Sequence, residues 1–581
     1  MTPLSFAAAF VLSPLLAAQV TVDAAHNRRP ISPDIYGVVF AKDTQLSRMG
    51  VTVRRHGGNH WSRYNWKTST TSTGGDGYFF RTVVTPAGPL SSSADNFVTA
   101  TRALRADAVM ELPAIGHVSK ALPTTPADGC SFRVTKYGVQ LQVDPTAFDC
   151  GNGVHVDGGF VVNDPFDTAQ ASDAKWTTEW VAHLVATFGA GAQGGVKYYN
   201  LSNQPALWHT THRDIHPQPS TYAEIKASLE AHGKAVKDAD PTALTLGPGA
   251  WRWLEYFDSA AGDRVRVGQD FIPYYLSQAR LFEEANLRRI LDYLDVHAYP
   301  QAKGVSAGDT SPVANRMRLR STRILWDPTY VAESWEDCCY GGILNVIPRM
   351  RTWIADYYPG TKLALGSYAW GAIDTVNGAI TQAELLGIFG RERVDMALLE
   401  DPPADGALGE DAFKLYRNYD GEGAHFGSTS IRARVQDVDS MSSFAAIEGT
   451  SKVTLVLINK DVENAQVANV FFEGTGKTGE WRAFDFGPGK RLAPSGAGSL
   501  IDGTLSRSVP ASTATIIEFV PTEGVFAADG GDFEEPVAPT PLSGATVDPG
   551  VLPRGCGCTG TEAALFLGAF PVLWVLRRRA R

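Results

Sequence analysis

The feature that most constrains this chain is a recurring unit in which a short apolar run ends in polar residues with Gly or Pro. Val51-Thr52-Val53 leads to Arg55-His56-Gly57-Gly58-Asn59, and Val109-Met110-Glu111-Leu112 leads to Pro113. The run 196–201 leads to Asn203-Gln204-Pro205, and Lys362-Leu363-Ala364-Leu365 leads to Gly366-Ser367-Tyr368-Ala369-Trp370. Helical segments separate these runs. Thr221-Tyr222-Ala223-Glu224 is a capping box, and Tyr222, Ile225, Leu229, His232 and Val236 follow at helical spacing. That helix ends near Asp240-Pro241, and Ala243-Leu244-Thr245-Leu246 then forms a strand into Gly247-Pro248-Gly249. A second helix is expected around residues 281–290, before Leu294-Asp295-Val296-His297 runs into Ala298-Tyr299-Pro300. Alternating strands and helices call for a parallel sheet. Polar motifs at successive C-terminal strand ends are what the functional rim of an eight-stranded barrel requires. The fold class expected is therefore α/β, a (β/α)8 barrel over residues 35–420.

After residue 421 the texture changes. Val453-Thr454-Leu455-Val456-Leu457-Ile458, Val467-Ala468-Asn469-Val470-Phe471-Phe472 and Thr513-Ala514-Thr515-Ile516-Ile517-Glu518-Phe519 are short strands between Gly-rich turns. They predict an antiparallel β-sandwich over residues 421–520. Val20-Thr21-Val22-Asp23, in the segment 19–34, is expected to add a strand to it. With 581 residues, more than one domain is required, and no internal repeat is found. The net charge of −10 provides no basic footprint for nucleic acid. Thirteen Trp suit both sugar stacking and a large core, so they do not choose between them.

Both ends of the chain speak to location. Residues 1–18 read as a secretory signal peptide, apolar and ending in Leu15-Leu16-Ala17-Ala18. Residues 521–555 are acidic and rich in Pro and Gly, the composition of a tether. Cys556-Gly557-Cys558, an apolar run over 563–576 and Arg577-Arg578-Arg579 close the chain. This tail, residues 556–581, resembles the surface-sorting signals of myxobacteria. That resemblance implies a sorting protease, a membrane stage and possession of an outward-facing surface location; a simple tail anchor is the other reading. Six cysteines fit an oxidising compartment. Cys130 and Cys150 are placed to close a loop, Cys338 and Cys339 are adjacent, and no spacing matches a zinc site. No cofactor is expected, although Asp164, Asp167 and Asp173 are candidates for a structural calcium.

Several segments together resemble glycoside hydrolase family 44, the endoglucanases and xyloglucanases. They are Ile35-Tyr36-Gly37-Val38, Arg55 with Gly57-Gly58-Asn59, and Ser62-Arg63-Tyr64-Asn65-Trp66. Next come Thr211-His212-Arg213-Asp214, His297 with Tyr299-Pro300-Gln301, and Leu325-Trp326-Asp327-Pro328-Thr329-Tyr330 with Glu333-Ser334-Trp335. Leu386-Gly387-Ile388-Phe389-Gly390-Arg391-Glu392 and Tyr416-Arg417-Asn418-Tyr419-Asp420-Gly421 complete the series. The resemblance implies a TIM barrel with a β-sandwich and retaining hydrolysis of β-1,4-glucans by two Glu residues.

At both catalytic positions this chain differs from that pattern. The acid/base belongs to an Asn-Glu-Pro motif, here Asn203-Gln204-Pro205, and the nucleophile position aligns with Ser367. An amide has the shape of Glu but no acidic proton to give near neutral pH, so general acid catalysis fails at Gln204. A hydroxyl without an adjacent base is a poor nucleophile. His56 stands where the family has Trp. The resemblance implies a substrate rim of Arg55, Asn59, Arg63, Asn203, Trp208, His297, Tyr299, Glu333, Trp335, Tyr368 and Trp370. The expected function is binding of a β-glucan-class polysaccharide with hydrolysis lost or severely reduced. Two alternatives stay open: an active glycosidase with relocated carboxylates, such as Glu333 with Asp374, or a surface attachment protein using the barrel for protein contacts.

Overall fold

The computed structural model describes residues 17–76, 79–84, 94–121, 129–338 and 342–527. Residues 1–16 of the expected signal peptide, the sorting tail, most of the tether and Cys339 lie outside the described residues, whereas Ala18 opens a strand. Among the described residues the chain divides into two compact units, one over residues 31–414 and one made of residues 17–30 with 415–527.

The larger unit holds a closed eight-stranded barrel. In order, its strands are Gly37–Val39, Val53–His56, Asp107–Glu111, Tyr198–Asn200, Leu244–Ala250, Tyr293–Ala298, Lys362–Tyr368 and Met396–Leu399. Every neighbouring pair is parallel, and the eighth closes on the first through Leu398 opposite Gly37. Helices carry the chain between strands, among them Ala174–Phe188, Tyr222–Ala239, Phe271–Asn286 and Val376–Arg391. Thr221 caps its helix as expected, its hydroxyl accepting from the Glu224 amide at 3.2 Å. The helix expected at 281–290 begins ten residues earlier, at Phe271; Phe271, Ile272, Tyr275 and Leu276 supply an apolar face upstream of the predicted start.

Parallel strands of a barrel need an apolar plug, and each contributes to one here. Val39, Val53, Val109, Tyr198, Leu246, Tyr293, Ala364, Met396 and Leu398 form a single buried cluster. All eight strands therefore present their C-terminal ends to one face. Between the third and fourth strands a disulfide joins Cys130 to Cys150.

The smaller unit is a β-rich sheet of ten strands. Its main hairpin ladder runs Met441–Glu448, Lys452–Asn459, Thr513–Pro521, Gly479–Gly487 and Lys490–Leu500, all antiparallel. Ala18–Asp23 joins it, antiparallel to Thr429–Val435 but parallel to Gln466–Glu473. Among the described residues the sheet is otherwise antiparallel, and the strand expected from the segment 19–34 is the one that makes the parallel pair. A strand entering from the start of the chain is tied to its neighbours by no hairpin, so its direction is not imposed by a turn. Val20, Val22, Leu455, Val470, Phe472, Ile517 and Phe519 share one core, and Phe472 and Phe519 meet with ring centroids 4.8 Å apart.

Candidate active site at the C-terminal strand ends

Directly above the apolar plug lies a buried polar layer centred on Arg55, at the end of the second strand. Its Nη1 donates to the Gly366 carbonyl at 2.7 Å, and its Nη2 donates to Glu111 Oε2 at 3.0 Å and Asn203 Oδ1 at 2.8 Å. Glu111 also accepts from Ser62 Oγ at 2.9 Å and from the Gly58 amide. Asn203 Nδ2 donates to Asn59 Oδ1 at 2.7 Å. Asp295, on the sixth strand, accepts from Asn200 Nδ2 and the Gly366 amide, each at 2.8 Å. Burial pushes the pKa of both Glu111 and Asp295 up, against the pull of Arg55. Arg55 and Asn203, expected at the substrate rim, are buried in this layer, 1% and 2% exposed.

Gly366 is where this layer shapes the rim. The register between the sixth and seventh strands passes from Val296 opposite Leu365 to His297 opposite Ser367, leaving Gly366 as an extra residue. Such a bulge re-aims the side chain that follows it. Glycine is required there, because a Cβ would lie 2.1 Å from Asp295 Oδ1.

At the fourth-strand end, Gln204 has a left-handed backbone, φ 46 and ψ 57, and its side chain is buried. Gln204 Nε2 donates to His297 Nδ1 at 3.0 Å. Burial, reinforced by Arg55, holds the His297 pKa well below its usual value, so the ring is neutral. Accepting at Nδ1 makes it the Nε2–H tautomer. The turn is braced from below by Glu255, which accepts from the Ala206 amide at 3.0 Å and from the Trp251 amide. Burial pushes the Glu255 pKa up to about 8.

The seventh- and eighth-strand ends hold a different arrangement. Ser367 Oγ donates to Glu400 Oε2 at 3.0 Å, and the Tyr299 hydroxyl donates to the same oxygen. The Glu400 amide is fixed to the Tyr368 carbonyl at 3.0 Å. Glu400 is exposed, unlike Gln204 and Ser367, but protein surrounds it. That desolvation, followed by repulsion from Asp401, raises its pKa.

Glu400 was not among the sequence candidates. Its signature was present: Met396-Ala397-Leu398-Leu399 runs into Glu400-Asp401-Pro402-Pro403, the same pattern as the other strand ends. Trp251 was also missed. It is half-buried, its ring 5.1 Å from Tyr299, and the Arg252 guanidinium lies 5.4 Å from it and 5.2 Å from Trp335.

Other sequence candidates are occupied elsewhere. Trp208 and Trp370 are buried and brace the framework, Trp208 through the Asn203 carbonyl at 3.0 Å and Trp370 through Ser321 at 3.1 Å. Tyr368 is fully buried against Phe389 and accepts from Gln382, on the helix Val376–Arg391. Arg63 pairs with Asp214 at 2.6 Å, both side chains fully buried. Glu333 is bound through both oxygens by Arg320, at 2.5 and 2.6 Å, and accepts from Tyr330. Asp374 accepts from the Ala404 amide. Glu336 is buried, and desolvation pushes its pKa up to about 7. His56 sits among Phe40, Trp61, Tyr64 and Phe97, and burial pulls its pKa down to about 3. The three candidate calcium ligands do not gather. Asp164 caps at Phe166, Asp173 caps at Trp176, and Asp167 binds Lys136 and Tyr137. Among the described residues no group of three His, Cys, Asp or Glu could hold a metal ion.

Residues 70–302 match the model of glycoside hydrolase family 44. Endoglucanase A of Paenibacillus lautus is 31% identical over 470 residues, covering 76% of this chain; the chain spans 64% of that protein's length. The structure of CelM2, a bifunctional glucanase-xylanase from a metagenome library, is similar at 34% identity. It has a TM-score of 0.83, with 87% of this chain and 99% of that one covered. The Paenibacillus polymyxa family 44 xyloglucanase, solved with xyloglucan, is 29% identical with a TM-score of 0.72, covering 87% of this chain and 99% of that one. With a barrel and a β-rich unit matched over nearly the whole of these structures, this chain belongs to glycoside hydrolase family 44.

Proposed function

We propose that the mouth of the barrel is a cleft for a β-1,4-glucan-class polysaccharide, cellulose or xyloglucan in type, whose hydrolysis is lost or severely reduced. The architecture is taken as a (β/α)8 barrel with a β-sandwich, exported and held at the cell surface by the processed tail. The observation that carries the loss is Gln204. It presents an amide to a neutral imidazole, so neither group has a proton acidic enough to give to a leaving sugar oxygen. Ser367 removes the second carboxylate from the family's position and leaves a hydroxyl there, which donates to Glu400 Oε2. Half-buried Tyr299, Trp251 and Trp335 supply aromatic surface at the rim, and Asn59 a polar edge.

The test combines a pull-down on insoluble cellulose, calorimetric titration with xyloglucan oligosaccharides, and reducing-sugar release from xyloglucan and carboxymethylcellulose. Binding without release is the expected result. Rapid release contradicts the loss of hydrolysis, and failure to bind either glycan contradicts the choice of ligand.

A further inference from the structure

We propose that Glu400 is this chain's nucleophile, so that the cleft still cleaves β-glucosides whose leaving group needs no proton. The inference rests on reading the mouth as a β-glucan cleft. Three observations carry it.

First, Glu400 adjoins the family's nucleophile position. Its Oε2 accepts from Ser367, the residue at the family's nucleophile position, and the backbone bond to Tyr368 holds it beside that residue. Ser367 is in turn opposite His297, which holds Gln204. Second, Glu400 is exposed, whereas Glu111, Glu255, Asp295 and Glu336 are buried. Third, its carboxylate is oriented. Tyr299 and Ser367 both donate to Oε2, and among the described residues no hydrogen bond is made to Oε1. One oxygen is anchored and the other is available for attack.

The chemistry is that of a retaining glycosidase without its acid. Glu400 Oε1 forms a bond to the anomeric carbon, and the bond from that carbon to the leaving oxygen breaks. The electron pair stays on the leaving group. Water then attacks the anomeric carbon of the glycosyl ester, releases the carboxylate and loses its proton to solvent. An alkoxide from a sugar is too basic to leave unprotonated, so a polysaccharide stalls at the first step. A 2,4-dinitrophenolate leaves freely.

The experiment uses 2,4-dinitrophenyl β-cellobioside with the whole protein. The wild type is expected to release dinitrophenolate at least 100-fold faster than Glu400→Gln. Phenyl β-cellobioside is expected to be inert with both. Because Glu400→Gln can disturb folding, the wild type is also inactivated with 2,4-dinitrophenyl 2-deoxy-2-fluoro-β-cellobioside and mapped by peptide mass spectrometry. Label on the peptide carrying Glu400, fragmented to that residue, supports the proposal. Label on another residue, or no label and no release from the wild type, overturns it. Wild-type titration with cellopentaose separates the two ideas. Binding without chemistry sinks only the Glu400 proposal, whereas no binding and no chemistry sinks the cleft reading as well.

Discussion

The fourth-strand end and the paired seventh- and eighth-strand ends open on the same face of the barrel, yet they have diverged in opposite ways. At the fourth strand the geometry is kept and the charge is gone. Gln204 has the length of Glu, a strained backbone and a bonded side chain, but only an amide to offer. At the seventh and eighth strands a carboxylate is present on Glu400, not at position 367. Ser367 carries a short hydroxyl, and Glu400 on the neighbouring strand takes its hydrogen bond. On the reading proposed above, the substitutions at Gln204 and Ser367 are not equivalent: one removes a function that nothing nearby replaces, and the other hands it to the next strand.

Arg55 joins the two halves, binding Asn203 on one side and the Gly366 carbonyl on the other. Breaking it gives the largest stability change expected. Arg55→Met leaves Glu111 and Asp295 buried without their cation, at a cost of about 3–5 kcal/mol. Urea unfolding measures this, and a loss below about 1 kcal/mol would mean that the polar layer does not couple the halves.

His56 tests the mouth in a pH-dependent way. Its folded pKa, about 3, lies below the unfolded value near 6.5, so between these limits the unfolded chain binds the extra proton. Stability from the neutral ring is complete above pH 6.5 and is lost as pH falls towards 3. His56→Phe keeps the aromatic packing and removes the titration. It should gain about 2 kcal/mol relative to wild type at pH 5, compared with the difference between them at pH 8. Thermal unfolding at the two pH values checks the sign; an equal effect at both rejects it.

The smallest effect belongs to Glu333, the carboxylate that the sequence favoured. It is held by Arg320 on a partly exposed surface, so Glu333→Gln should change stability by about 0.5 kcal/mol or less. It should also leave dinitrophenolate release unchanged, which sets it apart from Glu400.

Much of the site was legible because strand-end motifs are local. Asn203-Gln204-Pro205, Ser367 and His297 were all identified from contiguous residues. What the sequence hid is mostly long-range: the partners of Arg55 lie 56, 148 and 311 residues away. The buried network that Arg55 and Asn203 share was therefore not visible in the sequence. Tyr368 was recoverable from strand alternation, since a residue beside inward-facing Ser367 points outward to the helix. Glu400 was recoverable too, because its strand ends as the others do. The sixth-to-seventh bulge at Gly366 was not, because nothing local marks an extra residue in that run.

The most direct measurement is xyloglucan hydrolysis by Gln204→Glu with Ser367 untouched, followed by reducing-sugar release. If the acid alone is missing and Glu400 serves as nucleophile, this single change should raise the rate by about 100- to 10,000-fold over wild type. If Gln204→Glu stays inactive and only the double variant Gln204→Glu with Ser367→Glu gains activity, Glu400 is not the nucleophile and both functions were lost from the family's positions.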